Sequence, residues 1–65
     1  MGAKEIGRKF KQAREKLKLT QADVADKAGL HVNYYARIER GDYPGGRETL
    51  KTVAKVLGIK NLNIL

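Results

Sequence analysis

Asn33 and Arg37 lie one helical turn apart in the stretch Val32-Asn33-Tyr34-Tyr35-Ala36-Arg37, so a helical backbone sets their side chains on one face. A carboxamide offers a donor beside an acceptor, and a guanidinium offers a rigid fork of donors. These are the side chains whose geometry matches the groove edges of adenine and guanine, respectively. Val32, at the start of the same stretch, has the apolar surface that suits a thymine methyl, with partial packing as the other use of a valine there. The chemistry is recognition rather than bond breaking. It needs a scaffold behind it, since the same residues on an unsupported segment are only a solvated face.

Other chemistries find little material. The chain has no cysteine, which removes both disulfides and thiolate metal sites. His31 is the only histidine and has no partners for a metal site, and Asp23 with Asp26 falls short of a ligand set. There is no nucleophile paired with a base and no glycine-rich phosphate cradle after a strand, so no enzyme, cofactor or small-molecule substrate is expected. No apolar run approaches the roughly 20 residues of a bilayer span. The N-terminal stretch MGAKEIGRKF is charged without an apolar segment behind it, so neither membrane nor signal peptide is expected, and the default location is cytoplasmic, on the nucleoid when bound to DNA.

Charge points toward a polyanion. Lysine and arginine number 14 against 7 acidic residues, a formal charge of +7 in 65 residues. Much of the excess sits before Leu19, in Lys4, Arg8, Lys9, Lys11, Arg14, Lys16 and Lys18 against Glu5 and Glu15. A solvated basic helix explains such a run as readily as phosphate binding does. A chain this short makes one domain, and without cysteine that domain rests on apolar packing alone.

The periodicity supplies the elements. Ile6, Phe10, Ala13 and Leu17 form a narrow stripe on a helix over Lys4 to Lys18. A second helix opens at Thr20, a good N-cap, with Asp23 placed to complete a capping-box-like pair and Leu19 placed to staple onto Val24. It carries Val24, Ala25 and Ala28 and stops at Gly29. The third has its N-cap at His31, with Leu30 stapled to Tyr35, and Tyr35 and Ile38 inside; it stops at Gly41. With Ile38 inward, the wheel sets Tyr35 and His31 on the inner side and Asn33, Arg37 and Arg40 opposite. Asp42 to Gly46 reads as a loop. A fourth helix carries Leu50, Val53, Ala54 and Leu57 and closes at Gly58, and Asn61 is placed to cap a last turn bearing Leu62, Ile64 and Leu65.

Two helices across one glycine turn make a helix-turn-helix. At Leu19-Thr20-Gln21, Val24-Ala25, Ala28-Gly29 and Arg37-Ile38-Glu39-Arg40-Gly41 the sequence resembles the phage repressor and Cro-like family, the xenobiotic-response-element type of bacterial regulators, and the likeness covers nearly the whole chain. The resemblance implies an all-α, compact four-to-five-helix bundle of the lambda-repressor-like kind, with helices 2 and 3 forming the motif. It also implies that Val32 reaches the groove, that Gln21 meets the DNA backbone, and that Arg14 and Glu39 form an internal ion pair. Three features depart from the pattern: His31 stands where Ser or Thr is usual, Tyr35 stands where a β-branched aliphatic is usual, and the loop before the fourth helix is about one residue longer.

The expected readers of base edges are thus Val32, Asn33 and Arg37. Gln21, Tyr34, Arg40, Arg47 and Lys11 are the candidates for backbone contact; for Tyr34, half-burial in the core is an equal alternative. The expected partner is double-stranded DNA, bound by a homodimer on a palindromic operator, with Leu62, Ile64 and Leu65 as candidate dimer contacts or core cover. A repressor is the expected regulator type, related forms being an antitoxin and a restriction-modification controller. The competing class is a protein-interaction or RNA-binding module that keeps the fold. It would use a stacking platform, which three tyrosines, one of them in the loop, poorly supply.

Overall fold

The computed structural model describes residues 2–60. They form four helices, α1 (Ala3–Lys16), α2 (Gln21–Ala28), α3 (Val32–Arg40) and α4 (Arg47–Leu57), with no strand among the described residues. The last turn expected at Asn61, and with it Leu62, Ile64 and Leu65, lies outside them.

One device ends every helix. In α2, the Leu30 amide donates to the Ala25 carbonyl and the Gly29 amide to that of Asp26, with Gly29 at φ 71°, which is the Schellman arrangement. The same pair of bonds recurs at Gly41-Asp42 after α3 and at Gly58-Ile59 after α4. After α1 it recurs with Lys18 in the left-handed position, at φ 59°. Helix α1 therefore stops two residues short of the expected end at Lys18. Leu17, expected in its apolar stripe, turns outward at the cap and is 51% exposed.

Helix starts are equally local. The Thr20 hydroxyl accepts from the Asp23 amide at 3.0 Å, and the Asp23 carboxylate accepts from the Thr20 amide at 2.9 Å, so the capping box is complete. His31 caps α3 through Nδ1, which accepts the Asn33 amide at 3.1 Å. It is exposed rather than on the inner side where the wheel put it, because a cap residue leaves the helical path. Leu19 and Leu30 each close one helix and open the next, and both pack half-buried against the core.

That core is built from Phe10, Val24, Tyr35, Ile38 and Val53, with Ile6, Ala25, Leu50, Ala54 and Leu57 around them. Each large apolar side chain buried there contributes about 1.5–3 kcal/mol. Helix α1 lies across α3 and α4, and α2 packs on the same two. The α1–α3 crossing is close enough to need a glycine: a Cβ on Gly7 would sit 2.5 Å from the Ile38 carbonyl oxygen and closer still to that of Glu39.

Candidate nucleic-acid interface

Helix α3 is divided lengthwise. Tyr35, Ile38 and Glu39 are buried against α1 and α2, while Val32, Asn33, Arg37 and Arg40 are exposed on the other side. Val32 is 36% exposed and so offers its apolar surface on that side. Among the described residues, no hydrogen bond or ion pair engages the side chain of Asn33 or Arg37. The back of the helix is locked and the front is chemically unspent.

The lock is a polar network. The Arg14 guanidinium grips Glu39 twice, Nε to Oε2 at 2.6 Å and Nη2 to Oε1 at 3.1 Å, and its Nη1 donates to the Leu19 carbonyl at 2.9 Å. Glu39, only 6% exposed, also accepts from Gln21 Nε2 at 3.0 Å. One carboxylate thus joins α1, the start of α2 and the end of α3. Burial pushes its pKa up, but hydrogen bonds from Arg14 and Gln21 together with the arginine charge outweigh that, and the net shift is downward. Arg14 is shifted up, first by its bond to Glu39. The Tyr35 hydroxyl is buried beside this pair with no hydrogen-bond partner among the described residues, and burial drives its pKa strongly upward.

The expected backbone-contact residues are spread over all four helices. Gln21 is the first residue of α2, half-buried, and one Nε2 proton goes to Glu39. The capping box satisfies the Thr20 and Asp23 amides, whereas the amides of Gln21 and Ala22 have no acceptor among the described residues. Tyr34 packs half-buried on the core and edge-on to Tyr43, ring centroids 5.3 Å apart. Arg40 meets Asp42 at 3.0 Å, but both are more than half exposed, so that bond is worth little and yields easily to a phosphate. Lys11 is exposed on α1. Arg47 is the first residue of α4, where a cation opposes the helix dipole, so fold stability gives no reason for it.

Sequence reasoning passed over Gly7, whose signal was its position between Ile6 and Phe10 on the apolar stripe. It also missed Asp42 as the partner of Arg40, two residues away, and Tyr43 as the partner of Tyr34. Among the described residues, no helix is long and apolar enough to cross a membrane and no group of three His, Cys, Asp or Glu could hold a metal.

Comparison with known proteins agrees with this geometry. Residues 10–64 match the helix-turn-helix family model. Over 55 residues the chain is 44% identical to the immunity repressor protein of Bacillus phage phi105, an alignment that takes in 85% of this chain and 38% of that protein. This chain therefore corresponds to well under half the length of that relative. No solved structure matches. With the capped α2-turn-α3 pair in place and the family's pattern running through most of the sequence, the chain belongs to the phage repressor and Cro-like helix-turn-helix family.

Proposed function

We propose that this domain binds double-stranded DNA as a transcriptional regulator, with α3 in the major groove, Val32, Asn33 and Arg37 toward base edges, and Gln21, Tyr34, Arg40, Arg47 and Lys11 toward phosphates. The observation that carries this reading is the division of α3. A helix pinned along its back by Tyr35, Ile38 and Glu39 holds an adenine-matching and a guanine-matching side chain, both unspent, on its front. The open amides at the start of α2 supply donors for a neighbouring phosphate. The formal charge of +7 supplies the sequence-independent attraction.

One domain presents one recognition helix, so a two-fold homodimer on a palindromic operator follows, with half-site centres roughly 34 Å apart. The name of the phage relative favours repression. An RNA-binding role through stacked bases has less support, because Tyr35 is buried and Tyr34 is half-buried on the core and packed edge-on with Tyr43.

Selection from random duplexes tests the proposal. Binding to any duplex should be measurable at about 50 mM salt and weaken steeply by about 200 mM, and the selected sites should contain two inverted half-sites. Undetectable binding at the lower salt refutes the DNA reading. A single unrepeated half-site bound one to one refutes the dimer.

A further inference from the structure

Gln21 and Glu39 are 18 residues apart in sequence and in hydrogen-bond contact in space, with Nε2 3.0 Å from Oε1. Resting on the DNA reading above, we infer that Glu39 is a positioning residue for a phosphate contact made by Gln21. A carboxylate only accepts, so it selects the NH₂ end of the Gln21 amide and turns the carbonyl end away. One Nε2 proton goes to Glu39. The geminal proton, about 120° round the nitrogen, is left for an acceptor, and the only acceptors a nucleic acid backbone presents in quantity are phosphate oxygens.

Two further features fit this role. A phosphate beside a bare carboxylate would be repelled, but Arg14 neutralises Glu39 through a fork with bonds of 2.6 and 3.1 Å, so the pair holds the amide without a net negative charge. The amide is also fixed on folding, which removes rotamer entropy that a free glutamine would lose on meeting DNA. Glu39 itself is too deeply buried to touch DNA and acts through Gln21. The Gln21 and Ala22 amides, without protein acceptors, lie at the same helix start.

The test is a double-mutant cycle on a random-sequence duplex at about 50 mM salt, with each variant held below its melting temperature. Gln21→Ala should weaken binding about tenfold and alike for all sequences. Glu39→Gln should weaken it by up to the same factor, and the double variant should bind no worse than Gln21→Ala alone. Wild-type affinity in Glu39→Gln, or effects that multiply in the double variant, would overturn the inference.

Because Glu39→Gln loosens the fold, the wild-type side-chain amide is followed as well, by nitrogen-15 NMR during duplex titration. The two Gln21 Nε2 protons should be well separated in the free protein, and one should shift on saturation with DNA. If Asn33 and Arg37 respond while both Gln21 protons stay still, the positioning role fails and DNA binding stands. If no resonance moves, the proposed function itself fails.

Discussion

Replacing Gly7 by Ala adds one methyl group at the crossing of α1 and α3. On an exposed helix face this change stabilises, by about 1 kcal/mol, because Gly is the poorer helix former. Here the new Cβ lands 2.5 Å from the Ile38 carbonyl oxygen and 2.8 Å from the Glu39 carbonyl carbon, against 3.4–4 Å for ordinary contact. Its neighbours are backbone and cannot swing aside. Relief requires the two helices to part by roughly 1 Å, a gap that forfeits a quarter to a half of the dispersion energy of each affected contact. Overpacking of this kind costs about 1–3 kcal/mol or more, and the same movement stretches the Arg14–Glu39 grip. After the propensity gain, a net loss of about 1–2 kcal/mol is expected, the backbone contacts putting the cost at the upper end of that range, out of a total stability on the order of 3–10 kcal/mol for a chain this size. A melting temperature lower by roughly 10 °C follows. Circular dichroism melts and urea titrations of Gly7→Ala beside Gln12→Ala, an exposed control that should move by less than about 0.5 kcal/mol, provide the assay. An unchanged or higher melting temperature in Gly7→Ala would refute the close-crossing argument.

The Arg14→Met variant leaves the buried Glu39 carboxylate without its main partner and should lose about 2–4 kcal/mol in urea unfolding; a loss below about 0.5 kcal/mol would show the pair to be incidental. Since the folded-state pKa of Glu39 lies below its unfolded value of 4.5, its contribution is present above that pH and lost as pH falls through the folded value. Asp23, held down by its bonds to Thr20, acts in the same direction. The urea midpoint should be level above about pH 5 and drop below about pH 4, and a midpoint that rises on acidification would contradict this. Lys18→Gly relieves the one non-glycine residue with positive φ among the described residues and should stabilise by about 0.5–1 kcal/mol; destabilisation would mean that the lysine side chain has a packing role.

Much of this architecture was legible because its signals are local. Thr20 with Asp23 marked the start of α2, and Gly29, Gly41 and Gly58 marked three of the four helix ends, since a cap or a left-handed turn is decided within a few residues. The fourth end hid behind Lys18, a residue with no preference for that conformation, and so α1 was read two residues too long and Leu17 was placed inside. The outward face of α3 followed from periodicity. The hydrogen bond from Gln21 to Glu39 did not, because a contact spanning 18 residues depends on how α2 and α3 cross. Gly7 escaped for the same reason: its partners, the carbonyls of Ile38 and Glu39, are brought to it only by tertiary packing.

The central claim, that the front of α3 reads bases, is tested most directly by base-by-base competition on the selected site with Arg37→Lys, Asn33→Ala and Lys11→Ala. Arg37→Lys keeps the charge and loses the fork. Its non-specific binding should survive while specific affinity falls by about 1–3 kcal/mol, with preference relaxed at one base pair per half-site. Asn33→Ala should relax a different, neighbouring pair, and Lys11→Ala should weaken every duplex alike. If Arg37→Lys instead weakens all duplexes equally and leaves the base preferences intact, Arg37 touches phosphate and the assignment of α3's front to base reading is wrong.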